Sequence, residues 1–194
     1  MPGFIENPGS RKLDSIGPGS RPYLCNYGIP VMKFTLLTHF KELEKPSNTG
    51  KLVVEILGNA ARQVRWDRIN PPVTLVKEIE AGGVALIYPG AADEAEGDLA
   101  GIDHVILIDG TWHEARRIHQ RSPYLQKVRR ICLKPAGKSV YNLRKNQKES
   151  GLCTAECVME ILRSTGNSAD AGRLQERFLA FIRPPGTMRG EGGR

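Results

Sequence analysis

The chain has no apolar run approaching the roughly 18 to 20 residues that span a bilayer, which excludes a helical membrane segment. Its opening stretch, MPGFIENPGSRKLDSIGPGS, lacks the apolar core of a secretory signal. A cytoplasmic protein is expected, or a nuclear one if the source is eukaryotic. Cysteine is sparse: Cys25, Cys132, Cys153 and Cys157, with no C-x-x-C pair. A chain of 194 residues buries an adequate core without disulfides, so free thiols are expected. Cys153 and Cys157, four apart, can share a helix face, but two small buried residues on a helix account for them. The four histidines offer no ligand set either. HEARRIH, running from His113 to His119, is not H-E-x-x-H and sets its imidazoles on different helix faces. No metal is expected.

The common nucleotide and nucleophile signatures are also missing. NTGKL is not a P-loop, because Lys45 stands where the first glycine is required and Leu52 replaces Ser or Thr. There is no G-x-G-x-x-G, and GLCTAEC is not the G-x-S-x-G nucleophile elbow. Kinases, ATPases, dinucleotide-dependent dehydrogenases and hydrolases of that type are excluded.

What the chain does have is sorted charge. The formal net charge is +7. From Arg116 to Lys148 there are eleven Lys or Arg and no acid; from Glu78 to Asp109 there are eight acids and no Lys or Arg. A one-signed basic stretch is the footprint of a polyanion-binding surface, and nucleic acid is the commonest polyanion. The segment also carries strand-like patterning, so it is not a simple disordered tail.

Patterning places a single domain at 23–182 between a Gly/Pro/Ser-rich flexible arm, 1–22, and a similar tail, 183–194. A strand is expected at 33–38, then a helix capped by Ser47 or Asn48 and running to Ala60. ARQVRWD reads as a short strand, PPVTLVKEIE as a short helix or extended piece, and GVALIYPG as a strand closed by Pro89 and Gly90. AADEAEGDLAGID is an acidic loop. HVILID is the next strand, ahead of a helix stopping near Ser122-Pro123. KVRRICLKP is a further strand, AGKSVYNLRKNQKESG a polar loop, and two helices close the domain, the first ending at Gly166. Continuous apolar strands alternating with helices imply an α/β fold with a mainly parallel sheet buried on both faces. Ligands of such sheets sit beyond the carboxyl ends of the strands. Three ends are chemically loaded, IYPG, IDGTW and CLKPAGKSVYNLR. They are expected to be neighbours and to form the site.

These residues resemble a known family. LIDGTWHEAR is similar to the D-x-T-W signature of the DTW-domain proteins. SVYNLRK followed by TAE resembles that family's Tyr/Leu/Arg loop before a Thr-x-Glu helix start. TLLTHFKELEKPSNTGKL resembles its opening strand and Asn-Thr-Gly helix start, and SPYL follows the first motif at a fitting distance. The resemblance covers about 150 residues, counted from Phe34 to the final helix. It implies a tRNA-uridine aminocarboxypropyltransferase, which moves the 3-amino-3-carboxypropyl group of S-adenosylmethionine to uridine N3 and releases methylthioadenosine. It further implies kinship with ribosomal RNA aminocarboxypropyltransferases and a SPOUT-like fold with a C-terminal trefoil knot. Many family members carry an N-terminal cysteine cluster; here only Cys25 stands in that region, so the chain resembles a short form.

The resemblance gives the strand-end residues roles. Asp109 would orient uridine N3 and help take its proton; the alternative is a plain helix cap. Thr111 would bond the cofactor or cap the helix, and Trp112 would stack on a base or pack in the core. Tyr88, Pro89, Tyr141 and Leu143 would border the S-adenosylmethionine pocket, with Arg144 pairing a carboxylate or phosphate. Thr154 and Glu156 begin the next helix, where periodicity turns Glu156 away from the Val158, Ile161 and Leu162 face. Glu156 is then a first-turn acid or a pocket carboxylate. Arg116, Arg117, Lys127, Arg129, Arg130 and Lys145 would contact tRNA phosphates, giving affinity rather than base choice.

Overall fold

A computed structural model of the chain describes residues 32–89, 98–133, 139–141 and 151–183. The proposed arm, the tail beyond Arg183, most of the acidic loop, and Leu143, Arg144 and Lys145 lie outside the described residues.

Five parallel strands form one sheet in the order β2-β1-β4-β3-β5. β1 is Lys33–Thr38, β2 Ala61–Arg65, β3 Val84–Ile87, β4 His104–Asp109 and β5 Arg129–Ile131. Central β1 and β4 are buried along almost their whole length, because a parallel sheet is covered on both faces. Side chains alternate between two apolar layers. Phe34, Leu36, Val105 and Leu107 pack with Leu52, Val158, Ile161, Leu174 and Phe178. Leu37, Ile106 and Leu86 face the opposite way, onto Leu75, Ile118 and Leu125. The first layer is covered by α2 (Gly50–Leu57), α5 (Thr154–Ser164) and α6 (Ser168–Ile182), the second by α3 (Val73–Ala81) and α4 (Trp112–Gln120). α1 (Phe40–Leu43) is a single turn after β1.

Most expected elements stand where patterning put them, with three differences. α2 stops at Leu57, because Gly58 takes a positive φ of 53° and the chain tightens into a 3-10 turn to Ala60. β5 has only three residues, preceded by a 3-10 turn from Pro123 to Lys127. The final helix starts earlier, at Ser168, where the Asn167 side chain accepts from the Asp170 amide.

At the amino end of the parallel strands, His104 opens β4 as a buried residue. Its Nε2 lies 2.8 Å from Thr35 Oγ1, and Arg62 Nε also donates to that hydroxyl at 3.1 Å. Burial pushes the His104 pKa below its usual 6.5, against the opposing pull of Glu78. The unfolded chain therefore binds a proton that the folded chain refuses. Stability is expected to be level above about pH 6.5 and to decline as pH falls below it. Thermal melts from pH 8 to pH 5 should show His104→Gln losing that part of the acid sensitivity.

Candidate active site

The chain leaves β1 toward one edge of the sheet and β4 toward the other, opening a crevice between adjacent carboxyl ends. On the β3 side of that point the ends of β3, β4 and β5 meet around a cavity of about 640 Å³. That volume suits a small organic ligand. Ile87, Tyr88 and Pro89 come from β3's end, Leu107 to Trp112 (without Asp109) and His113 from β4 and α4, Cys132 and Leu133 from β5. Thr49 and the start of α5, Gly151 to Thr154 with Cys157, close the remaining side together with Tyr141.

Asp109 holds this arrangement from behind. It is 2% exposed and does not itself line the cavity. Its Oδ2 accepts from Asn48 Nδ2 and its Oδ1 from the Thr154 hydroxyl, both at 2.8 Å. The carboxylate thus joins the strand end to the first residues of α2 and α5, whose helix dipoles favour negative charge. The helix-cap alternative for Asp109 is overturned, since Thr111 is the cap of α4. Asn48, one of the two expected caps of α2, accepts from Lys51 N at 3.2 Å although the formal N-cap is Thr49. The Thr49 hydroxyl instead accepts from Ala155 N at 3.3 Å, capping α5 across the site. Because Thr154 donates its one proton to Asp109, it offers the cavity oxygen lone pairs.

α4 starts with a full capping box. Thr111 Oγ1 accepts from Glu114 N, and Glu114 Oε2 accepts from Thr111 N at 2.8 Å and from Thr111 Oγ1 at 2.7 Å. Burial acts to raise the Glu114 pKa, but the Thr111 donors and His39, 3.1 Å away, outweigh it and hold the carboxyl below its usual range. Thr111 therefore caps its helix while lining the cavity. Trp112 is 39% exposed on the cavity rim, so the core-packing alternative is overturned. Tyr88 stacks on His119 with ring centroids 4.5 Å apart. Tyr141 is buried, its hydroxyl donating to Ser47 O at 2.6 Å.

Of the two readings of Glu156, the first-turn acid is the one found, in a capping box at the start of α5. It is 7% exposed and is not a wall residue. Its carboxylate accepts from Cys153 N at 2.8 Å, Val140 N at 2.9 Å and Ser139 Oγ at 2.6 Å. Periodicity turned it off the helix's apolar face correctly; the 139–141 segment then covers it and takes the carboxylate as its anchor. Cys153 and Cys157 do share a face, and that face is the cavity wall. Burial, reinforced by Glu156, pushes both thiols up, Cys157 to about 12. They stay protonated near neutral pH, which makes them a soft apolar lining rather than nucleophiles. Among the described residues no three His, Cys, Asp or Glu side chains gather as a metal site.

The DTW domain matches residues 22–184. The chain belongs to the DTW family. A curated relative, the tRNA-uridine aminocarboxypropyltransferase 2 of Drosophila melanogaster, is 32% identical over 91 residues, which are 45% of this chain and 36% of that protein. The chain thus spans about a third of the length of the relative it matches. No solved structure matches it. In this DTW domain the name-giving Asp109, Thr111 and Trp112 divide into a buried anchor, a helix cap and an exposed rim aromatic.

The basic residues lie apart from the cavity walls. Arg116 and Arg117 are exposed on α4, Lys127 is exposed on the following turn, and Arg130 is half-buried on β5. Arg129 reaches Asp98 at 3.3 Å. Asn48, Thr49, Cys132, Cys153 and His113 are site residues that sequence reasoning passed over. The one legible signal was Gly50, a poor helix former as first residue of a helix. A Cβ there would lie 2.9 Å from Asn48 Oδ1 and 3.0 Å from both Asp109 Oδ2 and Gln63 Nε2. Gly50→Ala is expected to destabilise the fold by about 1 kcal/mol despite alanine's better propensity. Gly172→Ala in α6, where a Cβ meets nothing within 4 Å, is expected to stabilise it by about 0.5–1 kcal/mol. Urea unfolding of the two variants reads these opposite signs.

Proposed function

We propose that this DTW domain transfers the 3-amino-3-carboxypropyl group of S-adenosylmethionine to N3 of a uridine in tRNA, releasing methylthioadenosine. The observation that carries the reading is the position of the DTW signature, at the mouth of a small-molecule cavity whose rim runs into basic α4. The named activity of the Drosophila relative supports the reaction class. The SPOUT-like kinship and C-terminal trefoil knot belong to the same proposal; the segment joining β5 to α5, which a knot would involve, lies largely outside the described residues.

The chemistry of the walls fits S-adenosylmethionine. Aromatic faces at Tyr88 and Trp112 suit a purine, and Ile87, Leu107, Leu133 and the neutral thiols suit a thioether-bearing chain. Thr49, Thr111 and Thr154 supply hydroxyls. When bound, the sulfonium supplies an activated carbon and a neutral leaving group. Much of the work left to the protein is then positioning. Asp109 fixes the direction of the Thr154 hydroxyl and the entry of α2. Glu156 holds Tyr141 in the wall through the 139–141 segment. Pro89 ends the β3 side, and Leu143 and Arg144 would complete the pocket from residues outside the described ones. Arg116, Arg117, Lys127, Arg129, Arg130 and Lys145 would take tRNA phosphates.

Incubation of the protein with unmodified tRNA and S-adenosylmethionine, followed by nucleoside mass spectrometry, tests the reading. The expected product is a uridine heavier by one aminocarboxypropyl group, absent when Asp109→Ala is used. Methylated nucleosides instead would establish a SPOUT-type methyltransferase. Product only from ribosomal RNA would move the acceptor. RNA affinity without any transfer, unchanged in Asp109→Ala, would make the chain a binding protein.

A further inference from the structure

The proposed reaction removes a proton from uridine N3, and the scaffold withholds from that task the residue the signature suggests. Asp109 is buried, has a side-chain donor on each carboxylate oxygen and does not reach the wall. The thiols of Cys153 and Cys157 line the cavity but stay protonated. The Tyr141 hydroxyl is engaged with Ser47 O at 2.6 Å, and the Tyr88 ring is stacked on His119. Of the four histidines, three are built into the scaffold. His39 pairs with Glu114, His104 bonds Thr35, and His119 is buried under Tyr88.

His113 is the fourth, and its position differs in kind. It is exposed, it lines the cavity, and it stands beside Trp112 in the first turn of α4. Arg116 and Arg117, three and four residues further on, share its helix face and are exposed. Among the described residues His113 is where the cavity wall and the α4 arginine stripe become continuous. An RNA whose phosphates follow that stripe brings its extruded base past His113 before it reaches Thr154 and the buried Thr49.

We propose that His113 is a catalytic residue that binds the acceptor uridine and takes the N3 proton. This rests on the functional reading above. As the N3–H bond breaks, its proton passes to the imidazole and the electron pair on N3 forms the new N–C bond. The C–S bond of the donor breaks, its electron pair staying on sulfur as the neutral thioether of methylthioadenosine. The imidazolium then returns the proton to water, and nothing is oxidised or reduced. Imidazole is the side chain suited to this exchange near neutral pH.

Single-turnover transfer by the full chain, at saturating unmodified tRNA and S-adenosylmethionine, provides the test. His113→Ala and His113→Gln are expected to lower the rate by ~100-fold or more, with the calorimetric affinity for S-adenosylmethionine kept. Added imidazole is expected to restore much of the His113→Ala rate. An unchanged saturated rate in both variants overturns the proposal, as does a defect confined to the tRNA concentration required, which would make His113 a binding contact. Failure of the underlying reading is separately visible. Wild-type protein that binds the donor and transfers nothing to any RNA would overturn that reading, and this proposal with it.

Discussion

A carboxylate 2% exposed inside a sheet protein is costly unless donors meet it, and the way Asp109 is met organises the site. Its donors are remote in sequence, Asn48 on the approach to α2 and Thr154 at the start of α5. Satisfying one buried charge therefore fixes where two helices begin relative to the end of β4. The Asp109 backbone adds a third tie, accepting from His39 N at 3.0 Å and so locking β1's exit beside it. Gly50 is the steric counterpart. With a side chain there, the carboxylate and the Asn48 amide could not occupy their places.

Around this anchor, capping groups are exchanged between elements. Asn48 serves α2, Thr49 crosses to serve α5, Thr111 and Glu114 serve α4, and Glu156 serves both its own helix and the 139–141 segment. Unpaired amides at helix starts require partners. Drawing those partners from neighbouring elements makes the cavity rigid on the side away from solvent. The capping box fixes Thr111 at the start of α4, and Trp112 and His113 follow it along the exposed side of the cavity.

Charge adds a second constraint. Acidic residues occupy the approach to β4 and basic ones the stretch after it, so the sign changes across the strand end that opens the cavity. The walls among the described residues are aromatic, aliphatic, hydroxyl and thiol, with the His113 imidazole on the exposed side. Burial keeps the Cys153 and Cys157 thiols protonated, and exposed charge gathers on the helix that follows, at Arg116 and Arg117.

Local chemistry determined much of this in the sequence itself. Apolar runs bounded by Gly and Pro mark strands buried on both faces, as at β1 and β4, and Asp109 followed by Gly110 marks a loaded strand end. The DTW motifs carry the family. Periodicity also turned Glu156 off its helix's core face. Thr111 as a cap of α4 was within local reach, but tertiary structure alone decided what the buried polar side chains do. Nothing near Asp109 in sequence indicates that Asn48 and Thr154 would take both its oxygens and seal it behind the wall. Nothing near Glu156 indicates that residues 139–141 would fold over it, or near Thr49 that its hydroxyl would cap α5. Strand and helix propensity act over a few neighbouring residues, whereas a buried polar group must find its partner among residues brought together only when the whole sheet and its helices have packed.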